Sequence, residues 1–236
     1  MAGKEKTYLV ICAMHSEFQA LANKVRDGKM ATFGGIRGLG FPIPGGRAFA
    51  FEGRIGKVGT AFDLGVLSQC FDVGGIINTG VGGSLSETVK PLDVVIADKV
   101  AFHDVDMTAF GLPLGQMQGE PLWYEAGPEF LNGARQLEAR KNFTIKIGPI
   151  ISGDKFVTKE NLPKETIRQF GKPLVVDMES GAVAQVAKQL KVPFCIIRSV
   201  SDDTRKESNS ETYAEFLELA AKHASEVTLW LLNDLD

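Results

Sequence analysis

The chain has 236 residues, 44% of them hydrophobic and 23% charged, and its 26 Lys and Arg against 29 Asp and Glu give a net charge of −3. These values exclude intrinsic disorder, and they lack the basic surplus typical of nonspecific nucleic-acid binding. No apolar run reaches the 18 residues of a membrane-spanning helix, and the first residues lack the apolar core of a secretory signal. We therefore expect one globular domain over residues 1–236 that binds neither nucleic acid nor membrane.

The first quarter of the chain predicts strands and helices in alternation. Residues 7–14 form a continuous apolar run, which is typical of a strand covered on both faces. The S-x-x-Q pattern of Ser16–Gln19 predicts the start of a helix. Residues 31–46 are rich in Gly, and we interpret them as an irregular loop or a short edge hairpin. A strand at 47–52 and a helix from 57 to about 71 follow.

The middle of the chain contains a segment without clear periodicity. Strands are predicted at 73–79 and 92–98, and a helix at 128–141. Between them, residues 102–127 are rich in aromatic residues, Gly and Pro. Loops of this length inside a compact domain usually have a function, and the aromatic content favours a binding site or an interface.

The last third shows the clearest alternation. Its predicted elements are a strand at 144–151, a loop at 152–162, a helix at 163–170, a strand at 174–178, a helix at 179–190, a strand at 194–200 and a helix at 211–233. Strands that alternate with helices predict an α/β fold. We expect a three-layer αβα sandwich with a mixed, mainly parallel central sheet.

The cysteines and histidines do not predict a metal site. The three cysteines, Cys12, Cys70 and Cys195, are odd in number and lie in apolar contexts. They are therefore interpreted as buried free thiols, which fit a reducing cytoplasm. None of the three histidines has a second ligand at zinc-site spacing.

Carboxylates follow three of the predicted strands. Glu17, Glu179 and Asp202 each come soon after a strand ends. One such residue alone could simply cap the next helix. In open parallel sheets, however, ligands bind beyond the carboxyl ends of the strands. Because the pattern recurs at three strand ends, we favour a ligand site.

The glycine-rich segments do not match nucleotide-binding motifs. Gly80-Val-Gly-Gly would need Gly at position 85 to form a dinucleotide loop, and that residue is Leu85. Gly56-Lys57 fails as a phosphate-binding loop because position 51 is Phe51 and position 58 is Val58. We interpret both segments as turns that let a ligand approach the backbone closely.

Several ordered motifs span nearly the whole chain. They are Ala13-Met14-x-x-Glu17, Ile55-Gly56-Lys57-Val58, Ile77-Asn78-Thr79-Gly80, His103-Asp104-Val105-Asp106-Met107-Thr108-Ala109-Phe110-Gly111, Ser152-Gly153-Asp154-x-Phe156, Val176-Asp177-Met178-Glu179 and Arg198-Ser199-Val200-Ser201-Asp202. Through these motifs the chain resembles the 5′-methylthioadenosine/S-adenosylhomocysteine nucleosidases of the nucleoside phosphorylase/hydrolase superfamily. The histidine-aspartate stretch is the most specific to that family.

The resemblance implies a cofactor-free, metal-free hydrolysis of the N-glycosidic bond in those two nucleosides, which releases adenine and a 5′-thioribose. Asp202 would be the general acid that protonates adenine N7. A carboxyl group needs a raised pKa to do this at neutral pH. Glu17 would activate the attacking water, with help from Arg198.

The resemblance also implies which residues bind the substrate. Glu179 would accept hydrogen bonds from the ribose hydroxyls, with Met178 against the sugar. Phe156 would stack on adenine, the Val157 backbone would bind its edge, and Ser201 would support Asp202 or the purine. The substrate-binding set is completed by Val81, Gly82 and Asp177. Many family members have Ser where this chain has Val81, so a hydroxyl contact to the water is missing.

A homodimer is part of the same implication. Met107 and Phe110 from the partner subunit would help line the pocket for the 5′-alkylthio group, and Tyr213 would cap it. This would give the 102–127 loop its purpose.

Three alternatives stay open. A purine nucleoside phosphorylase would need arginines for phosphate, but the strand before Gly80 has none, and Glu17 would repel phosphate. Arg54 and Arg37 are the residues that could overturn this argument. A hydrolase of another adenine nucleoside, such as 6-amino-6-deoxyfutalosine, shares the same fold. A non-catalytic nucleoside-binding module is the alternative from a different class, and the intact carboxylates speak against it.

Overall fold

The computed structural model describes residues 5–137, 144–162, 164–207 and 209–235. The strands are β1 (Thr7–Cys12), β2 (Lys29–Phe33), β3 (Ile36–Ile43), β4 (Gly46–Glu52), β5 (Val73–Ser84), β6 (Val94–Phe102), β7 (Tyr124–Glu125), β8 (Ile145–Ser152), β9 (Val175–Asp177) and β10 (Phe194–Asp203). The helices are α1 (His15–Ala22), α2 (Lys57–Ser68), α3 (Pro128–Leu137), α4 (Lys164–Gln169), α5 (Ser180–Leu190) and α6 (Asn209–Asn233), with one 3₁₀ turn at Thr108–Phe110.

The strands form one mixed sheet in the order β10-β6-β8-β9-β5-β1-β4-β3-β2, and β7 pairs with β6. β5 pairs in parallel with both β1 and β10, and β8 pairs in parallel with β6 and β9. Because β10 also pairs with β6, and β9 with β5, the strands β5, β10, β6, β8 and β9 close into a ring. The carboxyl ends of β1, β5, β9 and β10 are thereby brought together.

Helices cover both faces of this sheet. One core joins α2 and α5 to alternate strand residues such as Leu9 and Ile11. The other joins α1, α3 and α6 to the opposite residues, such as Val10 and Cys12. This alternation follows from the period of two along a strand. The predicted three-layer αβα sandwich is confirmed. None of the helices in the described ranges is long and apolar enough to cross a membrane.

The Gly-rich segment 31–46 is an edge hairpin and not an irregular loop. β2 and β3 pair in antiparallel fashion, and β3 also pairs in antiparallel fashion with β4. Gly34 and Gly35 form the two-residue connection and both have positive φ, as a tight hairpin turn requires. The hairpin alternative of the sequence interpretation is therefore correct.

The prediction of a turn at Gly80–Gly83 is wrong. β5 continues to Ser84, because this segment pairs with β10 along its length and with β9 at its end. A Cβ atom at Gly80 would overlap the carboxylate of Glu17. The absence of a side chain at Gly80 lets the Glu17 side chain lie directly against the strand.

Smaller differences concern element ends and one thiol. α1 begins at His15 after a cap at Met14, and not at a Ser16 capping box, because the Met14 N–H donates to the Glu17 carboxylate at 3.0 Å. Cys70 is exposed, whereas Cys12 and Cys195 are buried as predicted. The predicted end of the third helix falls in 138–143, outside the described residues.

Candidate active site

A cleft lies where the carboxyl ends of β1, β5, β9 and β10 meet. It is lined by Ala13, Met14, Glu17, Ile55, Val81, Gly82, Gly83, Lys155, Phe156, Val157, Val176, Asp177, Met178, Glu179, Ser201, Asp202, Thr204 and Tyr213. Eleven of the fourteen site residues predicted from the sequence are in this set. The other three are Arg198, Met107 and Phe110.

Glu17 is held rigidly at the base of the cleft. Its Oε1 accepts a hydrogen bond from the Val81 N–H at 2.9 Å, and its Oε2 accepts one from the Met14 N–H. Burial raises the pKa of Glu17, although the Arg198 charge and these backbone hydrogen bonds oppose the rise. A fixed carboxylate of increased basicity is suited to accept a proton from water.

Arg198 lies beneath the cleft and is 1% exposed. Its Nε donates to Asp177 Oδ2 at 2.7 Å, and its Nη2 lies 3.6 Å from Glu179 Oε2. Nη2 also donates to the side-chain oxygen of Asn78. Buried charges need such pairing, because an isolated ion in the interior is very costly. Arg198 therefore organises the carboxylates from below.

Asp177 belongs to this buried network although it reaches the cleft wall. One carboxylate oxygen accepts hydrogen bonds from Arg198, and the other accepts from the Ser180 hydroxyl at 2.7 Å. Its oxygens are thus engaged by the protein. The structure favours a role in positioning Arg198 over direct contact with substrate.

Glu179 caps the N-terminus of α5 and faces the cleft. Its Oε1 accepts a hydrogen bond from the Gly56 N–H at 3.0 Å, across the interface with α2. Burial raises the pKa of Glu179 to about 7, with Arg198 opposing and Asp177 adding to the rise. Its ionisation therefore changes near neutral pH.

Asp202 and Ser201 close the opposite side of the cleft from β10. The Ser201 hydroxyl donates to Asp202 Oδ1 at 2.7 Å and also lies 3.3 Å from the Gly82 carbonyl oxygen. Asp202 is 2% exposed. The serine thus fixes one carboxyl oxygen of a residue that lines the cleft.

Two aromatic rings stand at the mouth of the cleft. Phe156 and Tyr213 contact edge to face, with ring centroids 5.6 Å apart. The Tyr213 hydroxyl donates to Met14 Sδ at 3.1 Å. Burial raises the pKa of Tyr213 to about 12, so the hydroxyl keeps its proton. Together these side chains form an apolar wall that suits a flat base and an alkyl substituent.

Met107 and Phe110 lie outside the cleft lining. Phe110 is 76% exposed in the 3₁₀ turn, and Met107 is half-buried. Their assignment to the pocket of a partner subunit stays a prediction.

Sequence reasoning missed seven lining residues: Ala13, Met14, Ile55, Gly83, Lys155, Val176 and Thr204. Most of these lie within or directly beside the quoted motifs, so motif membership was the available signal. Lys155 had none. Asn78, which accepts from Arg198 and donates to the Ile11 carbonyl oxygen at 3.1 Å, was also missed.

The cationic side chains near the cleft are already engaged. Arg54 pairs with the buried Asp63 and lies 5.2 Å from the ring centre of Phe62, and Arg37 lies on β3, which is not among the strands that meet at the cleft. Among the described residues, Lys155 is the one cationic side chain in the lining, and its ammonium donates to the Asn161 carbonyl oxygen at 3.2 Å. In the same ranges, no three His, Cys, Asp or Glu side chains form a cluster that could hold a metal ion.

The chain is similar to known proteins in both sequence and structure. The family model of the phosphorylase superfamily matches residues 7–233. A 5′-methylthioadenosine/S-adenosylhomocysteine nucleosidase of Colwellia psychrerythraea is 34% identical over 232 residues, which cover 96% of this chain and 95% of the relative. The Neisseria meningitidis nucleosidase of the same name, in complex with methylthio-immucillin-A, has a TM-score of 0.90 at 33% identity and covers 98% of this chain and 100% of its own.

A futalosine hydrolase of Helicobacter pylori also has this fold. Its TM-score is 0.89 at 26% identity, with 98% of each chain covered. The Colwellia and Neisseria nucleosidases are more similar to this chain, at 34% and 33% identity, which agrees with the resemblance found in the sequence motifs. The chain therefore belongs to the phosphorylase superfamily and, within it, to the 5′-methylthioadenosine/S-adenosylhomocysteine nucleosidases.

Proposed function

We propose that the chain hydrolyses the N-glycosidic bond of 5′-methylthioadenosine and S-adenosylhomocysteine, and releases adenine and the 5′-thioribose. One observation carries the proposal: Glu17, Glu179 and Asp202 face a single cleft from three different segments, and all three are buried. Acid, base and sugar-binding carboxylates at fixed positions are what cleavage of a glycosidic bond by water requires.

Asp202 is the general acid of the proposed reaction. It donates its proton to adenine N7 while the bond between N9 and C1′ breaks, so that the base leaves as a neutral molecule. Ser201, which holds one oxygen of Asp202, orients this transfer. Protonation of the leaving group supports an oxocarbenium-like ribose in the transition state.

Glu17 activates the nucleophile. Water attacks C1′ and passes a proton to Glu17, which the N–H groups of Val81 and Met14 hold in place. Glu179, in its ionised form, accepts hydrogen bonds from the ribose 2′- and 3′-hydroxyls, with Met178 against the sugar. Arg198 lies beneath the cleft, and its charge holds the carboxylates of Glu17 and Glu179 in position.

The base and the 5′ group bind beside two neighbouring aromatic rings, Phe156 and Tyr213. Phe156 stacks on adenine, and the backbone of Val157 binds its edge. Tyr213 and Met14 contact the 5′-alkylthio group. The complex of the Neisseria relative with methylthio-immucillin-A supports a nucleoside of this shape.

We also propose that the whole chain acts as one nucleosidase domain in a cytoplasmic homodimer. Strands from Thr7 to Asp203 share one sheet, which supports a single domain. The free thiols fit a reducing compartment. Val58, Phe62 and Phe110 are exposed apolar side chains, which a second copy of the chain would cover.

The test is adenine release in buffer without phosphate. The panel contains methylthioadenosine, adenosylhomocysteine, 5′-deoxyadenosine, aminodeoxyfutalosine, adenosine and inosine. We expect the two thio-nucleosides to have the highest kcat/KM. The likeness to the Helicobacter futalosine hydrolase makes aminodeoxyfutalosine the second candidate. Strict dependence on phosphate would overturn the hydrolase proposal in favour of a phosphorylase.

A further inference from the structure

The family-specific aspartate of the sequence, Asp104, takes no part in the chemistry described above, yet it joins two segments that carry the site. Its Oδ2 accepts a hydrogen bond from the Lys57 ammonium at 2.7 Å and one from the Asp154 N–H at 2.9 Å. Asp154 Oδ1 in turn accepts the backbone N–H of Lys57 at 2.7 Å. These three residues, named the polar clamp here, form a closed set of contacts.

The polar clamp lies at the protein surface, where Asp104 and Asp154 are exposed residues. Within it, the side chain of Lys57 is 27% exposed and that of Asp104 is 22% exposed, and the ammonium lies 5.5 Å from the ring centre of Phe102. Partly buried ion pairs are screened less than fully exposed pairs. The Lys57–Asp104 pair is therefore the best-shielded contact of the clamp.

Two glycines make the contacts possible. Gly56 has a φ of +87°, and a Cβ atom there would lie 2.8 Å from Asp154 Oδ1. A Cβ atom at Gly153 would lie 2.7 Å from the carboxyl carbon of Asp104. A side chain at either position would displace the carboxylate that it meets and so disturb the hydrogen bonds of the clamp.

Each segment that the clamp joins carries a group of the proposed substrate site. Gly56, directly before Lys57, donates its N–H to Glu179. Asp154 lies two residues before Phe156, which lines the cleft. The clamp thus links the Gly56 N–H, which donates to the ribose-binding carboxylate of Glu179, to the segment that carries Phe156, the ring proposed to stack on adenine.

We propose that Lys57, Asp104 and Asp154 are positioning residues that set the Gly56 N–H against Glu179 and fix the segment of Phe156 over the base. This inference rests on the proposed nucleosidase function. It assigns a role to the histidine-aspartate motif that the catalytic groups leave unused.

The hydrogen bond from Gly56 gives the clamp a pH signature. Glu179 faces Arg198 on β10, Asp177 on β9, Glu17 on α1 and the Gly56 N–H on α2. The N–H stabilises the carboxylate form and so lowers the pKa of Glu179. If the Gly56 N–H is displaced, the pKa of Glu179 rises. As the pH falls, Glu179 is then protonated at a higher pH than in the wild type.

The experiment compares Asp104→Asn, Lys57→Gln and Asp154→Asn with the wild type. We expect KM for methylthioadenosine to rise about fivefold with a smaller change in kcat, because the clamp orders binding groups. The acidic limb of kcat/KM should move upwards by about half a pH unit. Lys57→Arg, which keeps the charge and the donor, should restore wild-type values. An unmoved limb in all three variants would overturn the proposal.

Lys188→Gln is the matched control. Lys188 donates to Glu120 Oε2 at 2.8 Å, so the variant removes a similar ion pair outside the cleft lining. Its kinetics should equal those of the wild type. A variant of the clamp that loses thermal stability and activity together, with an unshifted pH profile, would show a merely structural role and contradict the inference.

Failure of the proposed function is recognised separately. If the wild type releases no adenine from any nucleoside, hydrolysis itself is wrong. The clamp is then judged by calorimetric binding of adenine, which needs no turnover. Weaker binding in Asp104→Asn and normal binding in Lys57→Arg would still support the clamp, whereas equal binding in all variants would contradict it.

Discussion

Two regions of the molecule contribute to the proposed activity: the floor of the cleft, which contains Glu17, Glu179, Arg198 and Asp202, and the 102–127 loop. These two regions are built in opposite ways. In the floor, Glu17, Arg198 and Asp202 are buried, and the contacts that hold them come from several strands of the same sheet. In the loop, Phe110 is 76% exposed and lies outside the cleft lining. One chain alone completes the floor, whereas the exposed loop contacts the 5′ group only in the homodimer that we propose.

The largest effect should come from the floor. Asp202→Asn removes the proton donor, so we expect kcat to fall by about 10²- to 10⁴-fold, the range of general acid catalysis. Adenine binding by calorimetry should change little, because the side chain keeps its shape. Asp203→Asn is the control, since Asp203 pairs with Arg205 outside the lining and should retain activity. Full turnover by the Asp202→Asn variant would exclude Asp202 as the acid.

The second effect is a pH dependence of the same floor. Because the pKa of Glu179 is about 7 and its ionised form accepts the ribose hydroxyls, kcat/KM should decrease as the pH falls below 7. The loss should approach about tenfold per pH unit. Glu179→Gln should lower kcat/KM and flatten this limb. A limb that survives unchanged in that variant would belong to another group, such as Glu17.

The loop provides the third test. Phe110→Ala should raise KM for methylthioadenosine by about tenfold, the cost of losing one buried aromatic contact. The binding of free adenine should not change, since adenine lacks the 5′ group. Leu219→Ala, another exposed apolar residue, serves as the control. If Phe110→Ala behaves like the control, the partner loop does not reach the pocket.

The smallest effect is expected at Arg54. Its side chain is 59% exposed and engaged by Asp63 and Phe62. Arg54→Gln should change kcat/KM by less than about twofold, and phosphate should stimulate neither protein. The effect on stability should be larger, about 1–3 kcal/mol, because the buried Asp63 carboxylate loses its charged partner. Phosphate stimulation that disappears in the variant would revive the phosphorylase alternative.

The sequence predicted the layers, most strands and a shared location for the three carboxylates correctly, because each rests on a local pattern. It failed where partners are distant along the chain. Gly80–Gly83 resembled a turn, and only the pairing of β5 with β10 and β9 makes it a strand. The help that Arg198 gives Glu17 stays a prediction, and its contacts with Asp177 and Asn78, 21 and 120 residues away, were not foreseen.

The glycines of β5 have a consequence for the heat resistance of the protein. Five of the twelve residues in this strand are glycine, and each costs about 0.5–1 kcal/mol relative to alanine because the unfolded chain is freer. Alanine would normally be the stabilising replacement in an engineered variant. At Gly80 the added methyl group would expel the Glu17 carboxylate from its place against the strand. The protein thus gives up thermal tolerance in this strand in exchange for the place that the Glu17 carboxylate occupies against it.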